Sequence, residues 1–387
     1  VGAAYGESNR DPVDLVREYR PGSFFLSTPQ RALLATGVRD TLTEPDPDEL
    51  AILVTKLLAD SDAPVAVGAL PFDPADSPHV VLPRTVRWAG PPRAGAARAE
   101  VAAPDCVVEP VPAPEEYERA VATAVAALAD GELRKVVLAR TLRLTMPEPV
   151  RIGALLANLV RDNLHGYTYA VDLPRTATAH RTLVGASPEL LMRRSGLLVT
   201  ANPIAGTLAR DADPAQDRRN AEALLASVKD QAEHLVVVDA VVDALRPFCR
   251  RLTVAAEPSL VATPAVWHLS TQVSGELIDP GISALRLACA LHPTPAVCGT
   301  PSDLARRAIA ELEPFERGFY AGAVGWCDAS GDGEWAVAIR CAEVCDQTMR
   351  LYSGAGIMPA SQPHLELAET SAKFQTLLRA MGLDLRA

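Results

Sequence analysis

The stretch "YAGAVGWCDASGDGEWAVAIRCAEVC" (residues 320–345) decides the fold class. Two apolar runs flank Ser330-Gly331-Asp332-Gly333, residue types that supply positive φ and the local side-chain bonds of a tight turn. The segment therefore predicts a β-hairpin. Hairpins join antiparallel neighbours, which argues against an all-parallel sheet. The fold expected is α+β, one large domain with antiparallel β-sheets flanked by helices.

Outward from the hairpin, strands and helices alternate irregularly. "KVVLAR" (135–140), "YTYAVDL" (167–173), "RTLVGASPELLMRR" (181–194), "GLLVTANPIAGT" (196–207), "AVWHLSTQVSGEL" (265–277) and "MRLYSGAGIM" (349–358) read as strands. Helices are expected over 115–130 with Gly131 as stop, over about 217–247 as one long element, over 283–293, over 302–314, and over about 363–381. Residues 1–114 are rich in Pro, Ala and Gly, with short strands expected in "SFFLSTPQRALLATG" (23–37) and "PVAVGALPFDP" (64–74). Residues 91–114 read as a linker or long loop. The expected division is 1–114, a sheet-forming portion and Pro/Ala-rich connection of the same compact fold, and 115–387, the larger portion that carries the candidate site residues.

Composition narrows the function. The 387 residues carry 37 Lys+Arg against 48 Asp+Glu, a net charge of −11, and this argues against nucleic acid or an anionic membrane as partner. An anionic small substrate then needs a local cluster of cations, amides or metal. No run of 18 apolar residues is present, and the start at Val1 reads as a processed end without a signal pattern. Seven scattered cysteines without CxxC spacing read as reduced thiols, so a cytoplasmic chain is expected.

Candidate site residues follow from spacing. Lys135 stands at the mouth of an apolar run between Arg134 and Arg140, either as surface charge or as a base. Asp230 and Glu233 lie about 60° apart on one helix face, and Glu366, Glu369 and Lys373 share a stripe of about 60° on another. Each helix alone reads as a solvated charged face; two such pairs facing one another would form a hard-oxygen site of the kind Mg²⁺ accepts. Gly354, Ala355 and Gly356 could form an amide nest for an anion or a tight turn. Gly206 and Thr207 in "NPIAGT" carry the same two readings. Arg340 ends a hydrophobic run and, if turned inward, must be paired with an anion. His268, among apolar neighbours, reads as a satisfied core residue before a catalyst.

Taken together, "KVVLAR", "GASPELL" (185–191), "NPIAGT" (202–207), "LLASVKDQAEH" (224–234), "VWHLST" (266–271), "LHPTPAVCGTP" (291–301), "IAELEPFERGFYAGAVGW" (309–326), "WAVAIRCAEV" (335–344), "LYSGAGIMPASQP" (351–363) and "ELAETSAKF" (366–374) resemble the chorismate-utilising enzymes. The resemblance covers roughly residues 115–383. Within the group it is nearest to the isochorismate synthases of siderophore pathways, with the anthranilate synthase component I-like fold. It implies Mg²⁺ bound by Glu233 and Glu369, with Asp230 and Glu366 contacting it directly or through water. It also implies the ring carboxylate of chorismate at the Gly206 and Thr207 amides, and the enolpyruvyl carboxylate at Arg340, Lys373 and the Gly354–Ala355–Gly356 strand. Lys135 matches the family's general base, Glu189 its general acid, and His268 a further candidate catalytic group. A free lysine titrates near ~10.4, so a base at this position needs burial or neighbouring cations.

Lys135 also bears on the nucleophile. Family members that use ammonia carry a non-basic residue there, so a lysine implies water and stands against anthranilate or aminodeoxychorismate synthesis. Ala296 in "HPTPAVCG" resembles isochorismate synthases more than salicylate synthases, which look bulkier or more polar there. Thr207, where serine is usual in the siderophore-type enzymes, leaves salicylate synthase as the alternative. A siderophore, menaquinone or other salicylate-type product is not distinguished. No glutamine-amidotransferase segment is present, and a stand-alone monomer is expected.

Overall fold

In the computed structural model, which describes residues 10–95, 98–101, 106–176 and 179–383, the hairpin forms as the turn residues dictate. Strands Ala323–Asp328 and Gly333–Val337 pair antiparallel, with Cys327 opposite Gly333. The Asp328 carboxylate accepts from Ser330 N, Ser330 Oγ and Asp332 N, and Gly331 takes φ 84°. The hairpin's two outer edges pair with Val65–Leu70 and Leu190–Ser195. Pairing continues into a 17-stranded sheet, and a separate sheet holds three strands. Every described pairing is antiparallel.

Four elements expected to be continuous are broken. The strand over 196–207 splits at Pro203, which cannot donate to a ladder. Leu198–Asn202 stays in the large sheet while Ile204–Ala209 enters the small one. The strand over 265–277 makes the same exchange between Val266–Ser270 and Val273–Leu277. The two crossovers are tied by Ser270 Oγ donating to Asn202 Oδ1 over 2.8 Å. Pro188 separates Ala179–Ser187 from Leu190–Ser195, leaving Glu189 between them.

The long helix is two, Pro214–Ala226 and Val228–Leu245. Ser227 between them is extended (φ −73°, ψ 112°), and its Oγ accepts from Asp230 N. The S-x-x-D spacing is an N-cap signature readable in the sequence. The helices Pro114–Ala129 and Pro363–Met381 form where expected.

Residues 107–111, within the expected linker, form a strand on Lys135–Thr145. Residues 96–97 and 102–105 of that stretch, and Val1, lie outside the described residues. Phe24–Ser27 pairs with Tyr167–Thr176, so strands from the first 114 residues belong to the large sheet. Lys135–Thr145 joins two cores: Val136 and Leu138 pack with Tyr117 and Trp335, Leu142 and Leu144 with Phe374 and Leu378. All seven cysteines are free thiols. Among the described residues no helix is long and apolar enough to cross a membrane.

Candidate active site

Lys135 is the first residue of its strand and is fully buried. Its Nζ makes a 2.9 Å ion contact with Glu233 Oε1, and among the described residues no well-directed hydrogen bond accompanies it. Arg134 and Arg140, its flanking cations, do not join it. Arg134 is exposed and reaches Thr300 Oγ1, while Arg140 is buried against Tyr117 and Phe374, donating to Thr370 Oγ1 over 2.8 Å.

On the neighbouring strand Thr348–Ile357, Gly356 lies opposite Val137. A Cβ there would collide with Glu233 Oε1 and stand 3.0 Å from Lys135 Cε; at Gly354 it would stand 2.8 Å from Tyr320 Oη. Gly354–Ala355–Gly356 is thus neither a nest nor a tight turn. It is regular strand, whose amides alternate in direction, and the absence of side chains lets Glu233 and Tyr320 pack directly against it.

The four carboxylates come from two helices. Asp230 and Glu233 occupy the first turns of Val228–Leu245, and Glu366 and Glu369 those of Pro363–Met381. Lys229 Nζ donates to Glu366 Oε1 over 3.0 Å, linking the two helices. Lys373 Nζ donates to Glu369 Oε1 at 2.5 Å and to Gly354 O at 2.9 Å, linking the second helix to the glycine strand. Burial raises the Asp230 carboxyl above its ordinary value, with Glu233 adding to the effect. Burial also raises Glu369; Lys373 opposes this, and the charges of Glu366 and Glu233 reinforce it. These carboxylates therefore lie close enough to repel one another.

Gly206 sits at a bulge in the small sheet with φ 72°, where a Cβ would meet Asp230 Cβ at 3.0 Å. The Thr207 amide acts to lower the Asp230 carboxyl, a small pull against its burial.

The third group surrounds Glu189, which is 2% exposed. Burial raises its carboxyl to about 8, against opposing pulls from the Ile204 amide, Lys135, Arg340 and Lys373. Desolvation outweighs three cations, leaving a protonated acid at neutral pH. Arg340 has φ 51°, the left-handed region that a non-glycine residue occupies only when its surroundings enforce it. That turn sends the guanidinium inward, where Nη2 bonds His268 Nε2 at 2.8 Å. Its Nη1 is buried without a hydrogen-bond partner among the described residues. Burial pulls Arg340 down to about 10, with Glu369, Tyr320 and Glu189 acting upward.

These relationships bring Lys135, Glu189, Glu233, Glu369, Arg340, Lys373 and His268 into one electrostatic neighbourhood. Ala296 is joined to it only through its loop, whose Gly299 pairs with Val136. Lys229 was missed by sequence reasoning; the charged-stripe argument considered carboxylate spacing and not the cation preceding Asp230. Among the described residues no three His, Cys, Asp or Glu side chains form a ready metal cage. Two mutually repelling carboxylate pairs, each already drawing in a lysine, still suit a hard cation that takes few protein oxygens and keeps water or substrate in its remaining positions.

A family model described as chorismate binding enzyme matches residues 93–382. The chain is 50% identical over 382 residues to the isochorismate synthase DhbC of Bacillus subtilis (strain 168), covering 96% of each. The crystal structure of DhbC from Bacillus anthracis, assigned by its description to 2,3-dihydroxybenzoate-specific isochorismate synthesis, superposes with a TM-score of 0.92 at 45% identity, covering 96% of this chain and 100% of that one. Anthranilate synthase component I from Streptococcus pneumoniae shares the fold, with a TM-score of 0.74 at 22% identity over 90% of this chain and 92% of that one.

Proposed function

The chain belongs to the chorismate-binding enzyme family, and on that premise we propose that it is an isochorismate synthase, converting chorismate to isochorismate with Mg²⁺. The observation that carries the reading is a buried lysine and a buried glutamate, whose carboxyl burial pushes up to about 8, within one neighbourhood of cations and carboxylates.

Chorismate is a dianion, and two sets of groups suit its carboxylates. The unpartnered Nη1 of Arg340 and the Lys373 ammonium would hold the enolpyruvyl carboxylate. Mg²⁺, held by Glu233 and Glu369 with Asp230 and Glu366 in direct or water-mediated contact, would supply positive charge for the ring carboxylate.

Water is a poor nucleophile and hydroxide a poor leaving group, so the reaction needs a base and an acid. In its neutral form, having given up the proton it shares with Glu233, Lys135 Nζ takes a proton from water as the water oxygen bonds to one ring carbon. The ring double bonds shift, the C–O bond at another carbon breaks, and Glu189 delivers its proton to the departing hydroxyl. One water enters and one leaves, so the product is an isomer. Nothing in this sequence of steps removes pyruvate. The resemblance to a 2,3-dihydroxybenzoate-specific enzyme supports a siderophore-type route for the product.

Incubating the protein with chorismate and Mg²⁺ tests the reading. Isochorismate without pyruvate is the expected product, and stoichiometric pyruvate would assign the chain to salicylate synthesis. Lys135→Gln should fold and lose about 10²–10⁴ in rate; near-normal turnover would return Lys135 to a structural role.

A further inference from the structure

The strand bearing Lys135 has an interrupted edge. On one side it pairs from Val136 to Thr145 with Thr348–Ile357. On the other, Val107–Val111 covers Thr141–Thr145 and Gly299–Thr300 covers only Lys135–Val136. No described strand covers Val137–Arg140 on that side.

Val137 N donates to Cys298 O over 2.8 Å, and two charged side chains fill the rest of the gap. Ala139 N donates to Glu313 Oε1 over 2.7 Å, and Arg317 Nη2 donates to Val137 O over 2.7 Å. Arg317 Nη1 donates to Val297 O, also over 2.7 Å, on the loop that carries Ala296. Glu313 and Arg317 lock each other in a fork, Nε to Oε2 at 2.9 Å and Nη2 to Oε1 at 2.5 Å. Both side chains are 2% exposed. The guanidinium lies 4.4 Å from the Phe72 ring centroid, and Phe72 N donates to Gly318 O.

A buried ion pair is weak evidence for stability, because desolving two charges offsets most of their attraction. What this pair fixes is geometry. The planar guanidinium reaches two carbonyls and a carboxylate at once, which a lysine cannot do.

We infer that Glu313 and Arg317 are positioning residues for the reaction. They act in place of a missing strand, holding the backbone two and four residues beyond Lys135 in register with the Ala296 loop. Through that backbone they set the Lys135 amine and the Ala296 wall against the substrate. The inference rests on Lys135 being the base.

Arg317→Lys, Glu313→Gln and the apolar double variant Glu313→Leu/Arg317→Met test it, with Lys135→Gln in parallel. The expected result is KM for chorismate within about threefold of wild type and kcat lowered about 10²-fold, the scale of an ångström-sized misplacement. Hydrogen–deuterium exchange should quicken across residues 133–140 and stay unchanged in Val228–Leu245, with the apolar double variant retaining its melting temperature. Wild-type kcat in a variant with quickened exchange at 133–140 overturns the inference. So does a loss of kcat that comes with faster exchange throughout and a lowered melting temperature, or failure of all three variants to fold, since either assigns the pair to folding. If Lys135→Gln is inactive while the Glu313 and Arg317 variants are normal, positioning alone fails. If Lys135→Gln turns over normally, the base assignment fails.

Discussion

Arg340 donates from Nη2 to Nε2 of His268 across 2.8 Å. A guanidinium has only donors, so Nε2 must be unprotonated and the imidazole neutral. Its proton then sits on Nδ1, 3.1 Å from Gly206 O and 3.0 Å from Thr207 Oγ1. Burial, followed by the charges of Arg340 and Lys373, holds the ring well below its ordinary value of 6.5. His268 therefore aims the arginine, leaving Nη1 without a hydrogen-bond partner among the described residues, and is not available as an acid at neutral pH.

His268→Ala removes the acceptor that orients Arg340. A hydrogen bond to a charged group is worth about 1.5–3 kcal/mol, so kcat/KM should fall about 10–10²-fold. The wild-type pH–rate profile should show no ionisation near 6.5 belonging to this ring. Steady-state kinetics on both proteins checks the pair, and an unchanged kcat/KM in the variant contradicts it.

Glu189 gives a pH dependence with a definite sign. Its carboxyl titrates at about 8 in the folded chain against an ordinary 4.5. Between those values the native state holds a proton that the unfolded chain has lost. Its contribution to stability is thus full below 4.5 and declines as pH rises through about 8. Glu189→Gln should melt higher than wild type at pH 9, with the difference vanishing near pH 4. Activity runs parallel: kcat/KM of the wild type should fall above about pH 8, and the variant should be lower by about 10²–10⁴ below that pH, with the gap narrowing above it. Identical pH dependence of melting in the two proteins would remove Glu189 from the role of protonated acid.

The metal reading has a separate check. Chelation with EDTA should abolish turnover, and Mg²⁺ should restore it. Lys229→Met removes a cation bound to Glu366. With one positive charge fewer near the carboxylates, half-saturating Mg²⁺ should fall severalfold, on the order of 1 kcal/mol of like-charge repulsion for a partly exposed group. Full activity in EDTA contradicts the carboxylate assignment.

Much of the fold was readable because local chemistry decides it. The hairpin turn, the Gly131 stop and the helix Pro363–Met381 all follow from residue type and period. What escaped reading was where continuous apolar runs change partners. Pro188 and Pro203 each carry a break signal, yet the sheet a strand joins next depends on packing far along the chain. The carboxylate pairs were visible as stripes, but only the fold brings Asp230 and Glu233 to Glu366 and Glu369. Gly356 illustrates the limit. Its need for glycine comes from Glu233, 123 positions earlier in the chain, and no local pattern encodes that contact.

The most direct test of water addition is isotopic. A single turnover of chorismate with Mg²⁺ in ¹⁸O-labelled water, followed by mass spectrometry of the products, reports where the new hydroxyl comes from. The expected result is isochorismate carrying one ¹⁸O, with no pyruvate. Unlabelled isochorismate, or pyruvate in stoichiometric amount, would contradict the account.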